Sequence, residues 1–310
     1  MNALTARRDF LKLSLGGLAA LSLPGFSDVA FAQAKAAPQQ LKDGAFLIDA
    51  GGSNVLAINT SEGLVVVDSG TAAFSAQLPG ALKSISDKGV HTLFNTHWHD
   101  EQCGGNEVIG KSGARIIASQ KTWHHLSTEY YLPHEQRYHK ALPAAALPTM
   151  KFTDKASAQI GGANIDYGTL IEPHTDGDIY VYFREANILA AGGAVSSDSD
   201  PELDWYGGGW LGGRATSLAT LVKLTNADTL IIPQKGRVMT QADLIAERDM
   251  TDQLYQRLRE LIRKGCSADC MNKEGALTGL GREWKDPGTF LYAAYKGLWA
   301  HHYNLSADLL

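Results

Sequence analysis

A layered α/β fold is what this sequence predicts, on three observations. Short runs rich in Val, Ile, Leu and Ala recur between Gly-bearing turns, as buried strands do. Helical segments are interleaved with them instead of gathered in one block, the order that a sheet covered by helices requires. The chain has 310 residues and is 44% hydrophobic, enough for a sizeable core in one domain.

Taken in order, the chain begins with Arg7-Arg8-Asp9-Phe10-Leu11-Lys12, then an apolar run from Leu13 to Leu23, then Ala30-Phe31-Ala32. Paired arginines, a short apolar stretch and a small-residue ending form a twin-arginine export signal over residues 1–32. The run is too short to span a bilayer comfortably, so the expected location is periplasmic or secreted, with no membrane contact after cleavage. Residues 33–43, polar and rich in Ala and Gln, read as a mobile leader. Residues 44–310 read as one domain with a helical C-terminal end.

Within it, Ala45–Asp49, Asn54–Ile58 and Leu64–Val67 are expected strands, with Gly51-Gly52 and Ser61-Glu62-Gly63 as turns. Ala72–Asp87 reads as helical, His91–Thr96 and Ala114–Ala118 as strands. Residues 121–142 are crowded with aromatic and imidazole groups. They read as a half-exposed amphipathic helix and a Pro-broken segment, the alternative being a substrate-pocket wall or a source of one more ligand. Ala163–Tyr167, Ile179–Phe183 and Asn187–Ala190 alternate as strands. Residues 196–213 then form a long polar, Gly-rich loop whose Trp205, Tyr206 and Trp210 are candidates for a substrate-pocket wall, or for packing under the loop. Ala215–Leu224 and Thr240–Lys264 are expected helices flanking the strand Thr229–Ile232. Trp284, Tyr292 and Trp299 are expected to dock the helical end, with His301 and His302 exposed behind it.

The formal net charge is −5, and one unit more negative without the signal, which argues against nucleic acid as a partner and leaves a small molecule. Of three cysteines, Cys266 and Cys270 can pair only if the chain turns between them, since on one continuous helix their side chains diverge. Cys103 reads as core-facing rather than as a metal ligand.

The chemistry concentrates in Asn95-Thr96-His97-Trp98-His99-Asp100-Glu101-Gln102-Cys103-Gly104-Gly105-Asn106. Two histidines two apart at a strand's end, followed by an acid and a Gly pair, suit a transition metal, and imidazole suits zinc. A third ligand must come from elsewhere, and His174, in a polar turn between two apolar runs, is the candidate.

These residues resemble the metallo-β-lactamase-fold hydrolases, whose main metal loop reads HxHxDHxGG. The stretch His97 to Gly105 keeps both histidines and both glycines, and His174 before Thr175-Asp176-Gly177-Asp178 matches the family's third histidine. Asp68, ending Leu64-Val65-Val66-Val67, matches an acid that supports the metal loop. The resemblance runs from about residue 45 to the C-terminus and implies a four-layer αββα sandwich. It also implies a Zn2+ held by His97, His99 and His174, supported from behind by Asp68, Asp178 and Gln102. The chain departs from the pattern at Glu101-Gln102, where the family has Asp-His, at Gly193, where it has a bridging Asp, and at Lys235, where it has its last histidine. One zinc per chain at most is therefore expected.

The implied activity is hydrolysis of an ester, lactone, amide or thioester, β-lactams included, by water activated at that zinc. Glu101 would accept a proton and Lys235 would face developing negative charge. The competing expectation is a periplasmic ligand-binding or accessory protein that has lost turnover. Iron-based redox chemistry also fits the fold, but needs carboxylates that are missing here.

Overall fold

The computed structural model describes residues 37–132 and 136–301. The expected export signal therefore lies outside the described residues. In chain order the strands are β1 (Gln39–Lys42), β2 (Ala45–Asp49), β3 (Asn54–Thr60), β4 (Gly63–Val67), β5 (Val90–Phe94) and β6 (Arg115–Ser119). Then come β7 (Tyr130–Leu132) and β8 (Arg137–His139), a separate antiparallel pair, and β9 (Met150–Phe152). The second half supplies β10 (Lys155–Ile160), β11 (Ala163–Thr169), β12 (Ile179–Phe183), β13 (Ile188–Gly192) and β14 (Leu230–Pro233). One sheet has the order β1-β2-β3-β4-β5-β6-β9 and the other β10-β11-β12-β13-β14.

Period-two alternation makes these sheets two-faced. In β4, Val65 and Val67 point into a cluster shared with Ile165, Tyr167, Val181 and Phe183 of the second sheet, while Leu64 and Val66 point away from it. That shared cluster is the inter-sheet core. The outer face of the first sheet is covered by α1 (Leu78–Ile85), whose Leu78 and Leu82 pack on Leu64 and Val66. The short helices α2 (Asp100–Cys103) and α3 (Asn106–Lys111) follow β5, and α4 (Gln120–Ser127) follows β6. The second sheet is covered by α5 (Leu211–Leu224) and α6 (Gln241–Arg263) through Leu218, Leu221 and Leu244. Helix, sheet, sheet, helix is the expected four-layer αββα sandwich.

The C-terminal end adds α7 (Ala268–Lys273) and α8 (Pro287–Ala300), which build a cluster of their own with α5 and α6. A capping box at Thr240 and Asp243 starts α6. Its end answers the cysteine question. Gly265 adopts φ +79°, the chain turns, and Cys266 and Cys270 pair with Cα atoms 5.3 Å apart.

Four expectations need correction. Part of the expected leader, Gln39–Lys42, is an edge strand, because Gly44 at φ +71° lets the chain double back so that Lys42 pairs with Ala45. Its polar composition suits an edge. Tyr292 and Trp299 are half exposed instead of buried at the docking face: Tyr292 meets Trp205 edge-on at 6.2 Å and Trp299 lines a hollow with Trp205 and Tyr206, while Trp284 packs against Phe290. His301 is no free tail residue, since its ring stacks on Trp210 at 4.4 Å and meets Glu172 at 3.1 Å. Trp210 is therefore no pocket wall; buried at the start of α5, it belongs to the helical cluster.

Candidate metal centre

The centre lies where both sheets end. The parallel strands β4 and β5 deliver Asp68 and the metal loop, the β11–β12 connection delivers His174 and Asp178, and β13 ends at Gly192-Gly193. The loop's two ends are tied together: Asn95 and Asn106 exchange side-chain amide bonds at 2.9 Å each way, and Ser69 donates to Asn106 at 2.8 Å. Gly104 and Gly105 have ordinary negative φ, so it is the space around them that calls for glycine. A Cβ on Gly104 would lie 2.1 Å from the Ala72 nitrogen and one on Gly105 2.4 Å from the Ser69 oxygen; both glycines permit close backbone contact.

His97, His99 and His174 bring one nitrogen each within 4.8 Å of the others, in the metal-capable grouping found among the described residues. Their rings meet edge to face with centroids 4.7–4.9 Å apart. Each outward nitrogen has its own partner. His174 Nδ1 donates to the Glu202 carbonyl at 2.9 Å, His99 Nε2 meets Asp204 Oδ2 at 3.1 Å, and His97 Nδ1 lies 3.0 Å from Thr96 Oγ1. That leaves His97 Nε2, His99 Nδ1 and His174 Nε2 facing one another. The last two are 3.1 Å apart, and His97 Nε2 is buried without a partner. An orphaned buried nitrogen among two convergent ones fits a metal ion, and the outward bonds fix the tautomers that such an ion needs.

The electrostatics agree. Burial, reinforced by the neighbouring imidazoles, holds His97 well below the usual histidine range and His174 down to about 4, so both rings are neutral and ready to ligate. Burial also disfavours charge on His99, but the Asp204 carboxylate outweighs it and raises that ring. Asp68 accepts from Thr96 N at 2.7 Å and Thr96 Oγ1 at 2.8 Å, and Asp178 accepts from His174 N at 2.9 Å and Thr175 N at 2.6 Å. Burial pushes both carboxyls up to about 7. Asp178 Oδ1 has no hydrogen-bond partner and lies 4.0 Å from His97 Nδ1.

The remaining expected residues divide. Gln102 is buried and donates to Ser53 Oγ at 3.2 Å, while its carbonyl accepts from Ser69 N and Oγ, so it fastens the loop from behind. Cys103 Sγ donates to the His97 carbonyl at 3.3 Å and packs with Trp98 and Leu126, core-facing as expected, with burial pushing its thiol well up. Glu101 lines a cavity of about 220 Å³ beside His99, with Trp98, Asp100, Leu132, Arg137, His139 and Asp204. Lys235 pairs its ammonium with the carboxylate of Glu202, the residue whose backbone carbonyl accepts from His174 Nδ1. Trp205 and Tyr206 line a different surface hollow, with Tyr295, Lys296 and Trp299.

Sequence reading missed Glu202 and Asp204, whereas Leu132, Arg137 and His139 come from the stretch 121–142 for which a pocket wall was the alternative reading. Asp204 adjoins Trp205 and Tyr206, so attention to the aromatics hid an acid that orients a ligand. His139, on β8, stands in the cavity wall, nearly buried, with its Nε2 unpartnered. Trp98 stacks on His125 at 4.3 Å, and both bond Asp176.

The profile of the metallo-beta-lactamase superfamily matches residues 42–234. The metallo-beta-lactamase type 2 of Bacillus cereus is 25% identical over 200 residues, 64% of this chain and 72% of that protein. Its counterpart in Bacillus sp. (strain 170) is 24% identical over 199 residues, with the same coverage. Among solved structures, a metallo-beta-lactamase from Pontibacter korlensis superposes with TM-score 0.57 at 19% identity, covering 69% of this chain and 98% of that one. The sec-alkylsulfatase Pisa1 from Pseudomonas sp. superposes with TM-score 0.64 at 14% identity, covering 84% of this chain and half of that one. At these identities the two structures speak for the fold alone.

Proposed function

Because the chain belongs to the metallo-beta-lactamase superfamily, we propose that it is a zinc-dependent hydrolase with one ion per chain, held by His97, His99 and His174. The observation that carries the reading is the convergence of three imidazole nitrogens whose opposite nitrogens are each already engaged. When bound, zinc supplies a Lewis acid and lowers the pKa of a coordinated water towards neutrality.

The chain's own residues do the rest. Asp204, Glu202 and Thr96 orient the three rings. Glu101, at the cavity beside His99, is the group positioned to take a proton from water or return it to a leaving group. Trp98 and Leu132 give the cavity an apolar wall, while Arg137 and His139 give it polar contacts. Such a space suits a small carbonyl compound, an ester, lactone, amide or thioester with β-lactams included. Lys235, paired with Glu202, is held next to the residue that orients His174, and its role of facing developing negative charge is read by the kinetics of Lys235→Met. The twin-arginine pattern of residues 1–32 supports a periplasmic or secreted location, which cell fractionation with and without Arg7 and Arg8 tests.

The test of function is elemental analysis of the purified protein beside turnover on a panel of those four bond types. One zinc per chain, lost in His97→Ala and in His174→Ala together with turnover, is the expected result. No metal after reconstitution sinks the hydrolase. Bound zinc without turnover favours the second reading, a ligand-binding or accessory protein, which Gly193 and Lys235 at two family ligand positions support.

A further inference from the structure

Gly193 stands where a second-metal ligand would be expected, and its surroundings give it a different meaning. A Cβ there would lie 2.2 Å from His174 Cδ2, 2.4 Å from Cγ and 2.9 Å from Cβ. The root of the ring is involved, so rotating a flexible tip cannot relieve the contact. His174 cannot retreat either. Its Nδ1 is bonded to Glu202, its backbone nitrogen to Asp178, and its carbonyl accepts from Asp204 N at 2.9 Å.

The peptide of Gly193 is itself gripped. Arg214, in the first turn of α5 and wholly buried, donates Nη1 to the Gly193 carbonyl at 2.8 Å. Its Nη2 donates to Ser196 Oγ at 2.9 Å and to Glu247 Oε1 at 2.6 Å. Glu247, on α6, also accepts from Ser196 N at 3.0–3.1 Å. A buried ion pair between two helices thus fixes the segment Gly193–Ser196 after β13, on whose first residue the His174 ring rests.

We infer that Gly193 is the packing seat of His174, and that Arg214 with Glu247 are positioning residues that hold this seat. The inference rests on His174 being a metal ligand for its functional meaning, but not for its geometry. It turns the apparent loss of an acid into a requirement: restoring aspartate at 193 dislodges the first ion's ligand instead of recruiting a second ion.

The geometry is tested without metal. The His174 Nδ1–H, buried and bonded to a carbonyl, gives a slowly exchanging imidazole proton resonance, identified by its loss in His174→Gln. It is expected to persist in Arg214→Lys, which keeps a donor for the Gly193 carbonyl. It is expected to vanish or shift in Gly193→Ala and in the Arg214→Met/Glu247→Leu double variant, whose apolar pair replaces the buried charges without stranding either one. Thermal melting of each metal-free variant checks the fold, and if Gly193→Ala does not fold the double variant decides. An unchanged resonance in the folded variants overturns the seat.

Zinc competition against a chelator then reads the consequence. Gly193→Asp is expected to bind at least about tenfold more weakly than the parent, with no second ion. Parental affinity, or two ions per chain, would show a vacated ligand position and overturn the inference. If the parent itself binds no zinc, the proposed hydrolase fails while the resonance still decides the seat.

Discussion

Asp204→Asn is the most informative single change at this centre. Asp204 Oδ1 accepts from Gly207 N at 2.8 Å and Oδ2 meets His99 Nε2 at 3.1 Å, so each oxygen has a fixed donor. An asparagine of nearly the same shape has one oxygen. If that oxygen stays on Gly207, the amide NH2 faces His99 Nε2–H, and the ring must move its proton to Nδ1, the nitrogen that faces His174. The variant should therefore bind zinc about 10–100-fold more weakly, roughly 1.4–2.7 kcal/mol.

The loss should also depend on pH. Asp204 raises the His99 pKa above its ordinary value against the opposing effect of burial, so below that raised value zinc must displace a proton from His99. His97 and His174 are already neutral there, because burial lowers both. Parental affinity should then climb with pH through a window above 6.5, whereas the variant, without the carboxylate, reaches its plateau earlier. The deficit is accordingly larger at pH 8 than at pH 6. Chelator competition at the two pH values measures it, and an equal deficit at both, or none, would refute the assignment of Asp204 as the orienter of His99.

Three further outcomes are expected. Glu247→Ala strands the buried Arg214 guanidinium and should cost about 3–5 kcal/mol, seen by calorimetry as a fall in Tm of at least roughly 6 °C; an unchanged Tm would mean the guanidinium finds water. Cys103→Ala should leave the zinc content unchanged, since the thiol donates to the His97 carbonyl; a fall measured by elemental analysis would make the sulfur a ligand. Gly104→Ala forces a Cβ against the Ala72 nitrogen and should cost at least about 1–3 kcal/mol, read as a lower urea midpoint at unchanged slope.

The sandwich was legible because its strands are two-faced: Leu64-Val65-Val66-Val67 is apolar throughout, as a strand between a sheet and a helix layer must be. The three histidines were legible because two sit two apart at a strand end and the third in a polar turn after a strand. What escaped were partners brought in by tertiary contact. Glu202 and Asp204 act on rings about 28 and 105 residues away, and no local pattern marks an acid for that task. Arg214 escaped for a related reason: an arginine in a helix's first turn reads as solvated until the fold shows it buried against Glu247. The short strand Gln39–Lys42 escaped because its pairing, not its composition, makes it a strand. The aromatics of the 205–210 loop misled for the opposite reason, since Trp210 is drawn inward by the helical cluster while Trp205 and Tyr206 face a separate hollow.

The ligands come from both sheets, His97 and His99 from beyond β5 and His174 from the turn before β12. Their spacing is thus a reading of how the two sheets are registered, and the gauge is the layer between them, where Phe94 meets Tyr167 at 5.0 Å and Phe152 meets the same ring at 4.8 Å. A methylene gained or lost in that layer is expected to shift the backbones that pack on it. The grip on the ion would then loosen or tighten with no change to any residue that touches it.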